Sequence, residues 1–271
     1  MRRALGICFA VIIGLSLHAG QTAWAKPTNG KTVRHSKTKH KASHVRHPTP
    51  PKRRSDAVFP ANVEETPAFR HAALSSEACL REIATRGIAV APVEGTHRGL
   101  VTPVRITGPL GKVTFRTQFV GEDGGPSVYS LLDCRLALAL DDFAHYLGEL
   151  DVIEVLYSSA YRPPPEASPE RERELRHAGG LAVDVHRFKR SDGVWLDVEK
   201  DFHGRIGAKV CGARAVAPWP KTDAAVTLRS IVCGANDRRL FQSVLTPNYD
   251  RPHRNHFHLE VTPDVRWYIV S

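Results

Sequence analysis

The feature that most constrains the fold is a histidine-rich segment near the C-terminus, between Asp250 and Val261, in which apolar residues alternate with polar ones. Side chains on a strand alternate between its two faces, so His256 and His258 would share one face while the apolar residues between them point into a core. A single histidine on a strand is usually an ordinary core or surface residue. Two in register, with His253 three residues earlier, predict a strand face that offers nitrogen ligands to a metal.

A second polar motif, His177-Ala-Gly-Gly-Leu-Ala-Val-Asp184, lies upstream. On a continuous helix its histidine and aspartate would be about 10 Å apart along the axis. That separation is too large for two ligands of one ion whose bonds are about 2 Å. Gly179 and Gly180 permit a turn that folds the chain back, after which Asp184 can point inward from a strand. The alternative for this motif alone is a local hydrogen-bonded pair that stabilises the turn.

The two motifs together provide two imidazoles and one carboxylate, with a fourth position open for water. Three protein ligands plus water are typical of catalytic zinc sites, whereas structural sites are usually closed by four ligands. A zinc ion lowers the pKa of water and polarises a carbonyl group, so the pattern predicts hydrolysis.

The N-terminus predicts export. Two arginines, an apolar run from Ala4 to Leu17 and the small-residue site Ala23-Trp24-Ala25 have the order of a secretory signal peptide, which we assign to residues 1–25. The apolar run is shorter than the roughly 20 residues of a membrane-spanning helix. No later segment approaches that length, so we expect a mature protein without a transmembrane segment, in the periplasm or outside the cell. Retention of the apolar run as an uncleaved anchor is the alternative.

The four cysteines that remain after signal removal favour two disulfides in an oxidising compartment. Four cysteines allow three connectivities, and the sequence does not choose among them. Our preferred pairing joins Cys79 with Cys134 and Cys211 with Cys233, and four buried free thiols are the alternative.

The net charge of +10 is concentrated in residues 26–55, which contain ten Lys and Arg and no acidic residue. Without these and the two signal arginines, 26 basic residues face 28 acidic ones. The segment has few large apolar residues and is predicted to be a disordered arm. An exported arm of this kind would meet anionic envelope polymers, and no nucleic-acid partner is expected; a plain solvated spacer is the alternative.

Residues 56–271 suit one domain with a hydrophobic core. Helices are predicted over Ser76–Arg86, within Leu131–Leu150 and over the charged run Glu166–Arg176. Strands are predicted at Val101–Ile106 and Lys112–Val120, as antiparallel strands with tight turns, and at Val152–Tyr157, Leu181–Phe188, Val194–Val198 and the histidine-rich segment. Because helices and strands do not alternate strictly, the class is α+β, a small and mostly antiparallel sheet with flanking helices.

The combination HxxGxAxD, a terminal HxH and a preceding Ser-x-Tyr-Arg resembles the zinc-binding pattern of the LAS superfamily of metallopeptidases, which includes D-alanyl-D-alanine carboxypeptidases and murein endopeptidases. From about Cys134 onward the chain is similar to bacterial extensin-like C-terminal domain proteins. The resemblance implies a LAS or hedgehog-like metallopeptidase domain. It also implies three zinc ligands and three catalytic groups: the ligands are His177, Asp184 and His258, and the catalytic groups are His253, His256 and Arg162.

Three positions bear on these roles. The carboxypeptidase branch has a catalytic Glu three residues before the final zinc histidine, where this chain has Asn255. Glu260 lies on the same strand face as His258 and could instead hydrogen-bond that ligand. In the murein endopeptidase branch a histidine at the position of His253 is a candidate general base.

The resemblance therefore implies a secreted, zinc-dependent peptidase that hydrolyses peptide bonds in peptidoglycan cross-links or stems, with an endopeptidase favoured over a carboxypeptidase. The alternative is an envelope-binding protein that retains the metal site without turnover.

Overall fold

The computed structural model describes residues 57–121, 124–168 and 175–271. The predicted signal peptide (1–25) and basic arm (26–55) lie outside the described residues, as does the middle of the charged run predicted to be a helix.

The described residues form helices and short strands in irregular order. The helices are α1 (Pro67–Ala72), α2 (Ser76–Arg86), α3 (Cys134–Glu149), α4 (Val198–Asp201) and α5 (Asp223–Asp237). The strands are β1 (Val90–Pro92), β2 (Pro103–Ile106), β3 (Thr114–Thr117), β4 (Leu132–Asp133), β5 (Val152–Tyr157), β6 (Ala182–Arg190), β7 (Trp195–Asp197), β8 (Ser243–Leu245), β9 (Phe257–Glu260) and β10 (Ile269–Val270). Short 3-10 helices occupy Val63–Glu65 and Val128–Ser130. The predicted α+β class is confirmed.

The strands form two sheets. A small antiparallel sheet has the order β1-β2-β4, and a larger sheet has the order β10-β8-β9-β6-β5-β3, with β7 paired to β6. Two pairs in the larger sheet are parallel, β3 with β5 and β8 with β10. The sequence predicted that β2 and β3 are antiparallel strands joined by tight turns. This prediction is wrong for β3, which belongs to the larger sheet and runs parallel to β5. Its partner is separated from it by α3, and local turn residues carry no information about such a long-range pairing.

Helix α3 lies at the centre of the core. Its apolar residues recur at spacings of three and four, and Leu136, Phe143 and Leu147 are fully buried. Asp133 begins the helix as its N-cap, because its carboxylate accepts a hydrogen bond from the Arg135 amide. The helix is thereby held at a defined end, next to the turn that precedes β6.

Both predicted disulfides form. Cys79–Cys134 joins α2 to the first residue of α3, and Cys211–Cys233 joins a loop to α5. The predicted pairing is therefore confirmed, and it links segments separated by 55 and 22 residues.

Strand β6 contains a bulge at the level of His186. Leu156 on β5 pairs with Arg187, but the next residue, Tyr157, pairs with Val185. His186 is thus an extra residue, and the inward alternation passes from Val185 to Phe188. The bulge places His186 at the polar face of the sheet, close to the residues discussed below.

The histidine-rich segment is a strand only in its second half. Strand β9 begins at Phe257, whereas His253 lies in a turn and His256 immediately precedes the strand. The prediction of one strand carrying all three histidines is therefore wrong for His253 and, by one residue, for His256. The predicted alternation holds within β9, since Phe257 and Leu259 are buried in the core. Among the described residues, no helix has both the length and the apolar character needed to cross a membrane.

Candidate metal centre

The first element of the site is the turn between His177 and β6. Gly180 has a φ of +63°, and a Cβ atom there would lie 2.8 Å from the Asp133 backbone nitrogen. The Gly180 carbonyl accepts a hydrogen bond from that nitrogen at 2.9 Å, and the Leu181 amide donates to the Arg176 carbonyl at 2.7 Å. The glycine therefore allows a tight turn that presses against the start of α3, after which β6 carries Asp184 to the centre of the sheet.

Strand pairing brings the acidic and basic residues together. Asp184 on β6 is the cross-strand partner of His258 on β9. Asp184 Oδ1 lies 3.1 Å from His177 Nε2 and 3.1 Å from His258 Nδ1, and the two nitrogens are 3.2 Å apart. The ligand atoms of these three residues all lie within 4.8 Å of one another, in a geometry that could hold a metal ion. We call His177, Asp184 and His258 the central triad.

Each imidazole of the central triad is oriented by an acceptor on its other nitrogen. His177 Nδ1 lies 3.1 Å from the Ala160 carbonyl oxygen, and His258 Nε2 lies 3.1 Å from Glu260 Oε2. When these nitrogens donate, the lone pairs of His177 Nε2 and His258 Nδ1 point into the triad. Histidines that bind metals are commonly oriented in this way by a carbonyl or carboxylate.

Arg162 lies at the rim of the triad. Its guanidinium donates to Asp184 Oδ2 and, at 2.8 Å, to the Ser159 hydroxyl, and its backbone amide donates to the His177 carbonyl at 2.9 Å. The side chain is about half exposed (51%), so it can also contact a bound molecule. Arg162 therefore contacts both the Asp184 carboxylate and the solvent.

The other two histidines lie beside the triad in different settings. His256 Nε2 is 3.4 Å from Asp184 Oδ1, and its Nδ1 is 2.9 Å from the Asn255 side-chain oxygen. His253 Nδ1 is 2.6 Å from Asp250 Oδ1, and its ring lies 5.8 Å from the ring of His258. His253 and Asp250 thus form a histidine–carboxylate pair at the edge of the site.

Burial and hydrogen bonds shift the pKa values of these groups in different directions. Burial alone would raise the pKa of Asp184, but hydrogen bonds from His177 and His258 outweigh it and hold that pKa far below its usual range. Burial lowers the pKa of His256 to about 4, so this imidazole is neutral at neutral pH. Burial alone would also lower the pKa of His258, but hydrogen bonds to Asp184 and Glu260 raise it to about 9.

The comparison with protein families covers the whole of this site. A family model described as "Extensin-like protein C-terminus" matches residues 77–269, which include every residue of the triad and its neighbours. The chain belongs to this family. No curated protein and no solved structure matches the chain.

In this extensin-like chain, the six residues singled out from the sequence occupy one region. The central triad and Arg162 are in direct contact, and His256 adjoins Asp184. The ring of His253 packs against that of His256, with 5.2 Å between their centroids. Their roles in metal binding and catalysis remain predictions.

The sequence reasoning missed several contributors from this region. The carboxylate of Asp250 is the hydrogen-bond partner of His253, and the backbone carbonyl of Ala160 orients His177. The spacing of Asp250 three residues before His253 was a usable signal, whereas a backbone carbonyl gives none. The ring of His186 packs 5.5 Å from that of His256, and burial lowers the pKa of His186.

Proposed function

We propose that this protein is a secreted zinc-dependent peptidase of the LAS type that hydrolyses peptide bonds in the cross-links or stems of peptidoglycan. The observation that carries the proposal is the central triad, in which two imidazole nitrogens and one carboxylate oxygen converge to 3.1–3.2 Å from one another.

The donor set fits a zinc ion. Three acceptor atoms at 3.1–3.2 Å from one another repel unless a cation or a proton lies between them. Nitrogen and carboxylate oxygen are ligands that zinc accepts, and three protein ligands leave a position for water or substrate. The hydrogen bonds from His177 to Ala160 and from His258 to Glu260 fix the tautomers that such binding needs.

A bound zinc ion would polarise a peptide carbonyl and acidify a water molecule at the site. The residues around it then have distinct tasks. His253 is the candidate base, because Asp250 holds its Nδ1 and can stabilise the imidazolium formed when Nε2 accepts the proton of the attacking water. The same proton would pass to the amine nitrogen as the carbon–nitrogen bond breaks.

Arg162 and His256 would act on the carbonyl side. Arg162 can donate to the oxygen on which negative charge develops, since half of its side chain is exposed while its guanidinium is oriented by hydrogen bonds from Nε to Ser159 and from Nη2 to Asp184. His256, neutral at neutral pH, can orient the water or substrate by a hydrogen bond without adding charge. Asn255 would support this ring through its side-chain oxygen.

The sequence motifs support the choice of substrate. HxxGxAxD with a terminal HxH resembles the pattern of murein endopeptidases and D-alanyl-D-alanine carboxypeptidases, and the expected export signal would deliver the protein to the cell envelope. The basic arm at residues 26–55 would attract anionic envelope polymers.

The test combines metal analysis with digestion of purified sacculi. The mature protein should contain about one zinc ion per chain and release soluble muropeptides that mass spectrometry identifies. Asp184→Ala and His258→Ala should lose both properties. The matched control is His145→Ala, which removes an exposed histidine from α3 and should change neither.

Zinc contents of the Asp184 and His258 variants equal to that of the parent would refute the metal site. Full zinc occupancy without released muropeptides would refute the peptidase and favour an envelope-binding protein that keeps the metal for stability or recognition. That second function would agree with Asn255 standing where the carboxypeptidase pattern has a glutamate.

A further inference from the structure

A long irregular loop connects α4 to α5. It covers residues 202–222 and contains neither helix nor strand. Connections within a domain are usually about four to six residues long, and irregular loops longer than about 12–15 residues are uncommon and often functional. No residue of the central triad comes from this loop, so the metal centre does not account for its length.

The second half of the loop exposes apolar side chains to solvent. Every residue from 212 to 222 is exposed except Pro218. Residues 215–220 are all apolar, in the order Ala-Val-Ala-Pro-Trp-Pro, and we call them the apolar segment. Val216 is 43% exposed, and Trp219, at 87%, is more exposed than any other large apolar side chain that the structure describes. Exposed apolar runs of this length are unfavourable in water unless they form a contact surface.

The apolar segment is fixed to the rest of the fold at both ends. The Val216 carbonyl accepts a hydrogen bond from Nη1 of the buried Arg229 on α5, at 3.1 Å. The disulfide Cys211–Cys233 joins the preceding part of the loop to the same helix. After the segment, the Thr222 hydroxyl caps α5. The valine and the tryptophan are therefore presented to solvent at a defined place on the surface.

Basic side chains flank the apolar segment. Arg214 precedes it and Lys221 follows it, and both are exposed. Together with Arg205 and Lys209 they are the four Lys and Arg of residues 202–222, which contain no acidic residue. None of the four forms an ion pair with another residue that the structure describes. The loop therefore places uncompensated positive charge beside an exposed apolar surface.

This combination fits an anionic lipid surface better than other occupants. A tryptophan ring is favourable at the headgroup level of a bilayer, and nearby Lys and Arg are attracted to anionic headgroups. A second copy of the chain would bring two positively charged loops together, which costs electrostatic energy. A soluble polyanion would neutralise the cations but leave the valine and the tryptophan in water.

We propose that residues 212–222 form a docking loop that binds the surface of an anionic lipid bilayer. Val216 and Trp219 lie at the headgroup level, and Arg214 and Lys221 contact the anionic headgroups. The attachment is peripheral and reversible, because one aromatic ring and a few cations bind far more weakly than a membrane-spanning helix. The inference depends neither on a bound metal nor on peptidase activity.

The experiment measures binding of the mature protein to lipid vesicles by cosedimentation. Vesicles of phosphatidylcholine with phosphatidylglycerol are compared with vesicles of phosphatidylcholine alone. Binding to the anionic vesicles should be at least about tenfold tighter, because each cation near an anionic surface contributes to affinity.

The fluorescence of Trp219 reports the contact of the loop separately from any contact of the basic arm at residues 26–55. After removal of the expected signal peptide, the chain contains Trp195, Trp219 and Trp267. Brominated lipids should quench the fluorescence of the bound protein. Trp219→Phe keeps an apolar ring but removes this fluorophore, so it should retain binding and lose the quenching.

Neutralising the two flanking cations tests the electrostatic part. Arg214→Gln combined with Lys221→Gln should weaken binding to anionic vesicles by about thirtyfold, since each cation contributes about fivefold. The matched control is Arg70→Gln combined with Lys112→Gln, which removes two exposed cations from other parts of the fold and should change the affinity by less than about twofold.

Truncating the tryptophan tests the apolar part. Trp219→Ser should weaken binding by about tenfold, because interfacial binding scales with the apolar area that leaves water. The matched control is Phe59→Ser, which removes an aromatic ring that is 70% exposed elsewhere on the surface and should leave the affinity unchanged.

Four results would overturn the inference. Vesicle binding without quenching of Trp219 would assign the binding to the basic arm, and loop variants that bind as well as their controls would show that the loop contributes nothing. Binding of dextran sulfate that depends on Arg214 and Lys221, without lipid quenching, would identify a soluble polyanion as the partner. A dimer in analytical ultracentrifugation that Trp219→Ser dissociates, again without lipid quenching, would identify a second copy of the chain.

Discussion

Replacement of Gly180 by alanine tests whether the turn between His177 and Asp184 builds the central triad. Gly180 has a φ of +63°, and a left-handed conformation costs a residue with a Cβ about 1–2 kcal/mol. The new Cβ would also lie 2.8 Å from the Asp133 backbone nitrogen and 2.2 Å from Leu100 Cδ2. The leucine can rotate, but the backbone cannot move without displacing α3, and such overpacking costs about 1–3 kcal/mol.

Gly87, which follows α2, provides a matched control. Its φ is +64°, but no atom lies within 4 Å of the position of an added Cβ. Gly87→Ala should therefore lose only the conformational part, about 1–2 kcal/mol, whereas Gly180→Ala should lose about 2–5 kcal/mol. The difference between the two variants measures the cost of the close contacts with Asp133 and Leu100.

Urea unfolding followed by circular dichroism measures both variants, and a chelator competition measures their zinc affinity under native conditions. Gly180→Ala should bind zinc more weakly than the parent because the turn that positions His177 must shift, whereas Gly87→Ala should bind it normally. Equal loss of stability in the two variants, or unchanged zinc affinity in Gly180→Ala, would refute this account of the turn.

Three further outcomes are expected. Glu260→Gln should weaken zinc binding by about 10- to 100-fold in the same competition, because the carboxylate orients a ligating histidine; an unchanged affinity would count against the site. Burial alone would raise the pKa of Asp142, but the hydrogen bonds and charges of His71 and Arg86 together outweigh burial and lower that pKa. The carboxylate therefore stabilises the fold above the usual aspartate range and stops doing so as the pH falls through the lowered pKa. Asp142→Asn should therefore cost about 2 kcal/mol in urea unfolding at pH 7, and a cost that did not shrink in acid would contradict this sign. Replacing Cys79 and Cys134 by alanine should cost about 4 kcal/mol, as expected for a link across 55 residues, and a loss below about 1 kcal/mol would show that the bond adds little.

Local patterns in the sequence were sufficient for the elements that carry the triad. Helix α3 follows from its apolar spacing, and β6 and β9 follow from alternation. The two glycines after His177 indicated the turn, so the proximity of Asp184 and His258 could be anticipated once the strands were assumed to be neighbours.

Other parts depend on contacts that no local pattern encodes. The bulge at His186 arises from the pairing of β6 with β5, and strict alternation would have placed Arg187 rather than Phe188 in the core. The parallel pairing of β3 requires a crossover through α3. His253 was expected on the strand, but it lies in a turn. Pro252 precedes it, and the His253 backbone amide donates a hydrogen bond to the Asp250 carboxylate.

The placement of the triad on the sheet has a consequence for how fast a metal could exchange. Asp184 and His258 belong to strands that are each paired on both sides, β6 with β5 and β9, and β9 with β6 and β8. Moving either ligand requires the opening of two ladders, and such segments open rarely. His177 lies on a turn, so we expect ions to enter and leave by its side, and amide hydrogen exchange to be slow around Asp184 and His258 and faster around His177.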